Sequence, residues 1–382
     1  MPLRRRHRHL SQRKKRHSSS SSTSSSSKNK NNYILFFSDV TKNDAHKVGG
    51  KGANLGECLR AGLNVPPGFC ITANAFKKQM EYSNIKSTNC CQNNNNNNNN
   101  NNIVANNILT LQFLPSLLKE IKLAYKKLGS QMVAVRASAT AEDSATASFA
   151  GQLETYLGIH GEESLLLAVK ECWASLFSER VASYSHSTTN ITNLLDKISC
   201  CVVVQVMIDA DAAGVAFTAN PMTQNRNEIV ITSNFGLGES VVSDIVTPDT
   251  FILDHDGNLI TKTISEKNKM VVLINNNKNG GDDDINNNDN KKKKKQQQKP
   301  SNSYSIIKNV PKSKQKKSSI NNNNLQSIVT LCKTVEAHYN SPQDIEWACI
   351  NNEIYLLQSR PITTLGVEKD LEKDHLHQQI CR

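Results

Sequence analysis

Nowhere in the 382 residues do eighteen apolar side chains follow one another, so no transmembrane helix is expected. The apolar core of a signal peptide is missing as well. Ten cysteines include the adjacent pairs Cys90-Cys91 and Cys200-Cys201 but no C-x-x-C spacing of the zinc type. Adjacent cysteines rarely bridge each other, which points to a reducing compartment and a cytoplasmic location. Residues 1–32 hold no acid and almost nothing apolar, so this tail cannot bury enough surface to fold. The asparagine run at 93–102 and the Asn, Asp, Lys and Gln tracts of 275–324 are poor in large apolar residues in the same way. Both read as low-complexity, disordered insertions, the first within an Asn-rich segment spanning 92–107.

A net charge of +12 resembles that of a nucleic-acid protein until it is partitioned. Residues 1–32 carry ten Lys plus Arg against no acid, and 275–324 carry twelve Lys against four Asp, which leaves −6 for everything else. Basicity is a property of the tail and the insertion, so no specific nucleic-acid function is expected of the folded part. RRRHRH and RKKRH leave contact with RNA, acidic lipid or an import receptor open. An acid-free N-terminus rich in Arg and Ser is also the composition of organelle transit segments.

About 290 residues remain for a folded core. YILFFSDV, 33–40, is expected to be a short buried strand. ANLGECLRAGL sets Leu55, Cys58, Leu59 and Leu63 at helical spacing behind a glycine turn, and VPPGFCIT reads as a turn and a strand. A helix is expected from Pro115 to Leu128, and a longer one over 162–187 with Leu166, Val169, Trp173, Leu176 and Phe177 on one face. ISCCVVVQVMID, 198–209, is β-branched enough for a central strand. GVAFTANP and EIVITSNFG add strands, and DTFILDHDGNLITKTI a hairpin turning at 255–258. Behind the second insertion come a helix, SIVTLCKTVEAHY, and a hairpin, DIEWACINNEIYLLQSRPIT, turning at Asn351-Asn352. This hairpin-rich second half predicts an α+β fold with antiparallel sheet.

Four stretches carry candidate chemistry. VAVRASATAEDSATASFAGQLETYLGI, 133–159, runs from a strand through Arg136 into a series of small residues. It is either a mobile surface loop or a cover whose backbone N–H groups approach an anion closely. GGKG, 49–52, brackets Lys51 with glycines, as a phosphate cradle or as an exposed turn, and departs from the Walker A form. Asp344 and Glu346, two apart on a strand, share a face. They are either the wet side of an edge hairpin or the seat of a cation such as magnesium carried on phosphates. Gln358 and Arg360 have the matching parity on the returning arm. NFGLGESVVSDIVTPDTF places Gly236 and Gly238 before Glu239, Asp244 and Asp249, a weak pattern for which a packing turn is as good an account. His375 and His377 lie in a polar tail and read as solvated.

KVGGKGANLGE, VPPGF, VAVRASATAEDSATASFAGQLETYL, CWASLFSERVASY, VVVQVMI, GVAFTANP, NFGLGESVVS and DIEWA followed by YLLQSRPIT resemble, in that order, the N-terminal ATP-binding domain of phosphoenolpyruvate synthase and pyruvate phosphate dikinase. The ATP domain of rifampicin phosphotransferase is similar too. The resemblance covers 33–364 apart from the insertions. It implies a two-lobed ATP-grasp fold, with lobes at 33–200 and 201–364 and a polar tail at 365–382. By motif, it implies that Lys51, Arg136 and Arg360 hold and act on the phosphates of ATP, with Gln358 beside them. Gly151 and Thr155 belong to the covering loop, Gln205 sits by the adenine, and Asp344 and Glu346 bind Mg2+.

Two departures qualify the resemblance. Ala137 stands where the family commonly has a serine, which removes a hydroxyl from the phosphate strand. Family members also pass phosphate to a histidine on a swivelling domain and then to an acceptor on a third, and nothing after Pro361 is long enough to be either. The expectation is an incomplete ATP-dependent phosphotransferase served by a separate histidine-domain protein. The alternatives are a non-catalytic ATP-binding remnant, a fragment of a longer chain, or a kinase like rifampicin phosphotransferase.

Overall fold

β-branched residues and short hairpins dictate most of the architecture. A computed structural model describes residues 32–85, 97–139, 143–144, 147–148, 154–177, 200–274 and 305–365. The first sheet takes its strands from β1 (Ile34–Phe36), β2 (Gly68–Ile71), β3 (Val133–Ala139), β6 (Thr155–Ile159) and β7 (Cys200–Val206), in the order β1-β2-β7-β3-β6. Every pairing is antiparallel. β7, CCVVVQV, is buried at each position, as a central β-branched strand should be. Between β3 and β6, β4 (Asp143–Ser144) and β5 (Ala147–Ser148) pair with each other.

Helices α2 (Ala73–Tyr82), α3 (Asn97–Thr110), α4 (Pro115–Lys127) and α5 (Glu162–Ser175) contribute to an apolar core on one face of that sheet. Phe76, Ile108, Ile121, Tyr125, Val169 and Trp173 meet Val133, Val135, Ala137, Val202 and Val204 there. By strand alternation, Ala134, Arg136 and Ser138 face the other way. On that opposite side lies α1 (Ala45–Arg60), which is two helical pieces joined at Gly49, where φ is 73° and ψ 169°. A Cβ at Gly49 would come within 2.1 Å of Ser138 Oγ, so both the left-handed turn and the close approach require glycine.

The second sheet runs β11-β10-β9-β8-β14-β15. Its strands are β8 (Ala212–Phe217), β9 (Glu228–Phe235), β10 (Asp249–Asp254), β11 (Leu259–Thr263), β14 (Gln343–Ile350) and β15 (Glu353–Pro361), and their pairings are all antiparallel. A separate two-stranded sheet joins β12 (Lys269–Leu273) to β13 (Ser305–Asn309). Two short helices, α6 (Glu239–Val242) and α7 (Lys312–Gln315), precede the long α8 (Asn322–Tyr339). Leu325, Ile328, Val329, Cys332 and Val335 of α8 share one core with Ile231, Phe251, Ile345 and Trp347. Val48, Ala53, Leu55 and Cys58 of α1 and Val203 of β7 join the same core, which puts α1 between the two sheets. Asn351 and Asn352, with φ of 52° and 64°, make the hairpin turn their sequence predicts. The α+β class follows as expected.

Several elements differ from the sequence reading. The strand expected over 33–40 stops at Phe36 and tightens into a 3-10 turn at Phe37–Asp39. The second half of the asparagine run, read as disordered, is helical from Asn97. Val104 and Ile108 bury one side of that helix, with Leu111 buried just past its end, and tertiary packing overrides the poor propensity of asparagine. The insertion read as disordered over 275–324 is folded from Ser305 on, because Val310, Ile320 and Asn324 are buried among polar neighbours. Its residues 275–304 lie outside the described residues. So do 178–199, and with them the end of the helix expected over 162–187. The seven described cysteines are buried thiols outside any disulfide. No helix among the described residues is long and apolar enough to cross a membrane.

Candidate functional site

Arg136 reaches from the first sheet to the second. It is 8% exposed, and its Nη2 donates to Glu346 Oε2 at 3.2 Å. Its Nη1 donates to Gln358 Oε1 and to the Leu357 carbonyl, each at 3.4 Å. That carbonyl is available because of a bulge: Glu346 pairs with Gln358 but Trp347 with Leu356, which leaves Leu357 out of register. Asp344 stands opposite Arg360 and Glu346 opposite Gln358, so strand pairing alone assembles four of the expected site residues. Arg360 donates from Nε and Nη2 to Asp344 Oδ2, both at 2.8 Å. Burial pushes the Asp344 carboxyl above the usual carboxylate range, while Arg360 pulls it back.

Lys51 begins the second piece of α1, two residues beyond the Gly49 turn, and its Nζ donates to the Ala137 carbonyl at 3.3 Å. The Ala137 side chain lies in the apolar core, so a hydroxyl at this position would point away from Arg136. Ser138, one residue on, supplies a buried Oγ on the Arg136 side, and that atom has no hydrogen-bond partner among the described residues. Gln205 of β7 is 2% exposed and pairs with Ala134, which gives it the same sheet face as Arg136. Its Nε2 is buried and unpartnered, as is Arg136 Nε. Thr155 is exposed at the start of β6, in register with Arg136. Gly151 lies outside the described residues, as do His375 and His377.

The structure thus brings Lys51, Arg136, Asp344, Glu346, Gln358 and Arg360 together, with Gln205 on the same face. Asp249 belongs elsewhere. It forms an ion pair with Lys267, both fully buried, and accepts from Ser265 and Ser319. Three participants carried no short-range signal: the Leu357 carbonyl, freed by the bulge, and Gln343 and Ser359, which bond each other at 3.0 Å beside the site strand. A fourth, Asn54, did leave a trace, because asparagine is a poor resident of a helix interior. Its Nδ2 donates to the Ser359 carbonyl at 3.1 Å.

Chemically, the cluster offers guanidinium and ammonium groups for an anion, two carboxylates for a cation and two buried N–H donors awaiting acceptors. No group of three or more His, Cys, Asp or Glu that could hold a metal occurs among the described residues. Two carboxylates alone suit magnesium, which keeps waters and takes its remaining ligands from phosphates rather than from a protein cage.

Comparison with known proteins gives the following. Residues 45–379 match the family described as pyruvate phosphate dikinase, AMP/ATP-binding domain. A probable phosphoenolpyruvate synthase of Methanothermobacter thermautotrophicus is 36% identical over 348 residues, covering 87% of this chain and 46% of that protein. The phosphoenolpyruvate synthase of Pyrococcus furiosus is 33% identical, covering 89% of this chain and 45% of that protein. Rifampicin phosphotransferase of Bacillus cereus is 31% identical over 87% of this chain and 36% of its own length. The chain therefore spans less than half the length of each of these relatives.

Proposed function

The chain belongs to the pyruvate phosphate dikinase AMP/ATP-binding domain family, and from that premise we propose that it is the Mg-ATP-binding component of a phosphoenolpyruvate synthase-type phosphotransferase. In this reading the two sheets are the lobes of an ATP-grasp domain, and phosphate leaves ATP for a histidine on another domain or polypeptide.

The observation that carries it is the path of Arg136, which crosses from β3 to Glu346 and Gln358 of β14 and β15 with one N–H left over. A guanidinium held by weak, long hydrogen bonds can exchange them for phosphate oxygens at little cost. Lys51 presents an ammonium from the start of a helical piece, where the backbone also favours anions. Gln205 offers its unpartnered amide to the purine edge, and Thr155 lies where a covering loop would close. Magnesium bound by Glu346 and Asp344 would neutralise charge on the transferring phosphates. Arg136, Lys51 and Arg360 orient that group and stabilise the charge it develops, with Gln358 fixing Arg136. A second reading, a kinase of the rifampicin phosphotransferase type, uses the same ATP site and differs only in the acceptor.

Calorimetric titration of the whole chain with ATP and magnesium tests the binding step, with Arg136→Ala and Glu346→Ala as comparisons. Both variants should lose nucleotide affinity while remaining folded, and unchanged affinity in both would sink the assignment. Release of AMP and phosphate only when a histidine-domain protein is added would then support the synthase-type reaction. Nucleotide binding without any such turnover would favour the remnant.

A further inference from the structure

The Gly49 turn makes Lys51 the first cation of a helical piece that could pivot, so something must fix its distance from the phosphate end of β15. Asn54 is placed to do so. It lies three residues beyond Lys51, on the same side of α1. Its Nδ2 donates to the carbonyl of Ser359, the residue between Gln358 and Arg360. Its own carbonyl accepts from the Tyr339 hydroxyl of α8 at 3.4 Å, which holds the same turn of helix from behind.

β15 is the outer strand of its sheet, so one row of its backbone groups faces away from β14. Arg136 takes the Leu357 carbonyl and Asn54 the Ser359 carbonyl. Further along, Asn64 donates to the Ile354 carbonyl at 3.1 Å and accepts from Leu356 N at 2.9 Å. Two asparagines thus dock one segment onto one strand edge, Asn54 at the site and Asn64 away from it. With Asn54 the contacts close into a ring. Lys51 bonds the Ala137 carbonyl beside Arg136, Arg136 bonds Gln358, and Ser359 next to Gln358 is bonded by Asn54, one helical turn from Lys51.

We propose that Asn54 is a positioning residue that sets Lys51 against the Gln358–Arg360 strand for triphosphate binding, a proposal that rests on the ATP-binding reading above. Asn54 does not touch the nucleotide. It acts through Lys51, so its effect should appear on phosphate recognition and not on the nucleoside.

The test uses the full 382-residue chain, titrated with magnesium plus ATP and, separately, with adenosine. Asn54→Ala should weaken ATP binding about tenfold, as a small displacement of a charged contact does, and change adenosine binding by less than about twofold. Asn54→Asp, which keeps the shape and loses the donated N–H, should behave alike, and it covers the case in which the alanine variant fails to fold. Asn64→Ala removes the equivalent contact at the far end of the same edge and should lower Tm without changing either affinity. Adding Asn54→Ala to Lys51→Ala should cost ATP affinity nothing further, because the two act as one unit. Folded Asn54 variants with wild-type ATP affinity, or losses that add to that of Lys51→Ala, overturn the proposal. A wild-type chain that binds no ATP, or a Lys51→Ala chain with undiminished affinity, overturns the ATP-binding reading itself and this proposal with it.

Discussion

Two cation–carboxylate pairs in the molecule are built to opposite specifications. Lys267 and Asp249 are fully buried and richly supplied: the carboxylate also accepts from Ser265 N, Ser319 N and Ser319 Oγ, and the ammonium also donates to the Ser265 carbonyl. Arg136 and Glu346 meet at 3.2 Å, the carboxylate side chain is 25% exposed, and Arg136 Nε has no partner among the described residues. A buried pair stabilises a fold only when every remaining lone pair and proton is satisfied. The first pair comes near that condition, with the Asp249 oxygens saturated and two of the three Lys267 protons taken, and it staples Ser319, on the segment folded from Ser305, to β10. The second leaves capacity over, which is what a ligand site requires.

The sharpest way to break the contrast is to remove one partner from each pair. Lys267→Met strands a buried carboxylate and should cost about 3–5 kcal/mol of folding stability, read from the denaturant midpoint. Pairing it with Asp249→Leu should recover only part of that loss, since it removes the stranded charge but leaves Ser265 N and Ser319 N without their acceptor. A single variant that loses less than about 1 kcal/mol would show that Asp249 is not confined as its surroundings imply.

Arg136→Ala should reverse the pattern. Glu346 keeps access to water, so the expected stability loss is only about 1 kcal/mol. The affinity for magnesium plus ATP should fall by about 2–4 kcal/mol, the scale for deleting one partner of a desolvated charge contact. Equal losses of stability and affinity would erase the distinction between the two pairs.

How much of this was legible in sequence follows from the range of the interactions. The hairpin 343–361 could be read outright: strand periodicity put Asp344 and Glu346 on one face, matching parity brought Gln358 and Arg360 to it, and two asparagines marked the turn. Lys51 behind a glycine turn was local too, although a helical piece, not a strand, leads into it. The Lys267–Asp249 pair was not legible as a pair: Asp249 stood out only within a weak glycine-and-acid pattern, and Lys267 lies eighteen positions further on, beyond the intervening hairpin. The same blindness hid the fold of 305–324, where two buried apolar residues, Val310 and Ile320, anchor a stretch made largely of Lys, Ser and Asn, with Ile306 and Ile307 exposed. Arg136 was singled out as a phosphate ligand, but its crossing to the other sheet depends on a bulge that no spacing rule announces.

A third carboxylate falls between the two pairs and gives the smallest expected effect. Asp44 is near the surface, accepting from Lys47 Nζ at 2.7 Å, Thr41 Oγ1 at 2.8 Å and Thr41 N at 3.0 Å as it opens the first piece of α1. The Lys47 hydrogen bond, helped by those from Thr41, lowers its pKa from 3.8 to about 2, against a smaller opposing effect of burial. Because the folded-state value lies below the unfolded one, the ionised form favours folding. That stability is present in full above pH 3.8 and is lost as the pH falls toward about 2. Asp44→Asn should therefore cost up to about 1 kcal/mol at neutral pH, the scale of a near-surface ion pair with Lys47. Its stability curve should converge with that of the wild type across the same acid window. Curves that stay parallel down to pH 2 would mean that the carboxylate contributes nothing through its charge, and that among the three only the buried pair and the site pair depend on ionisation.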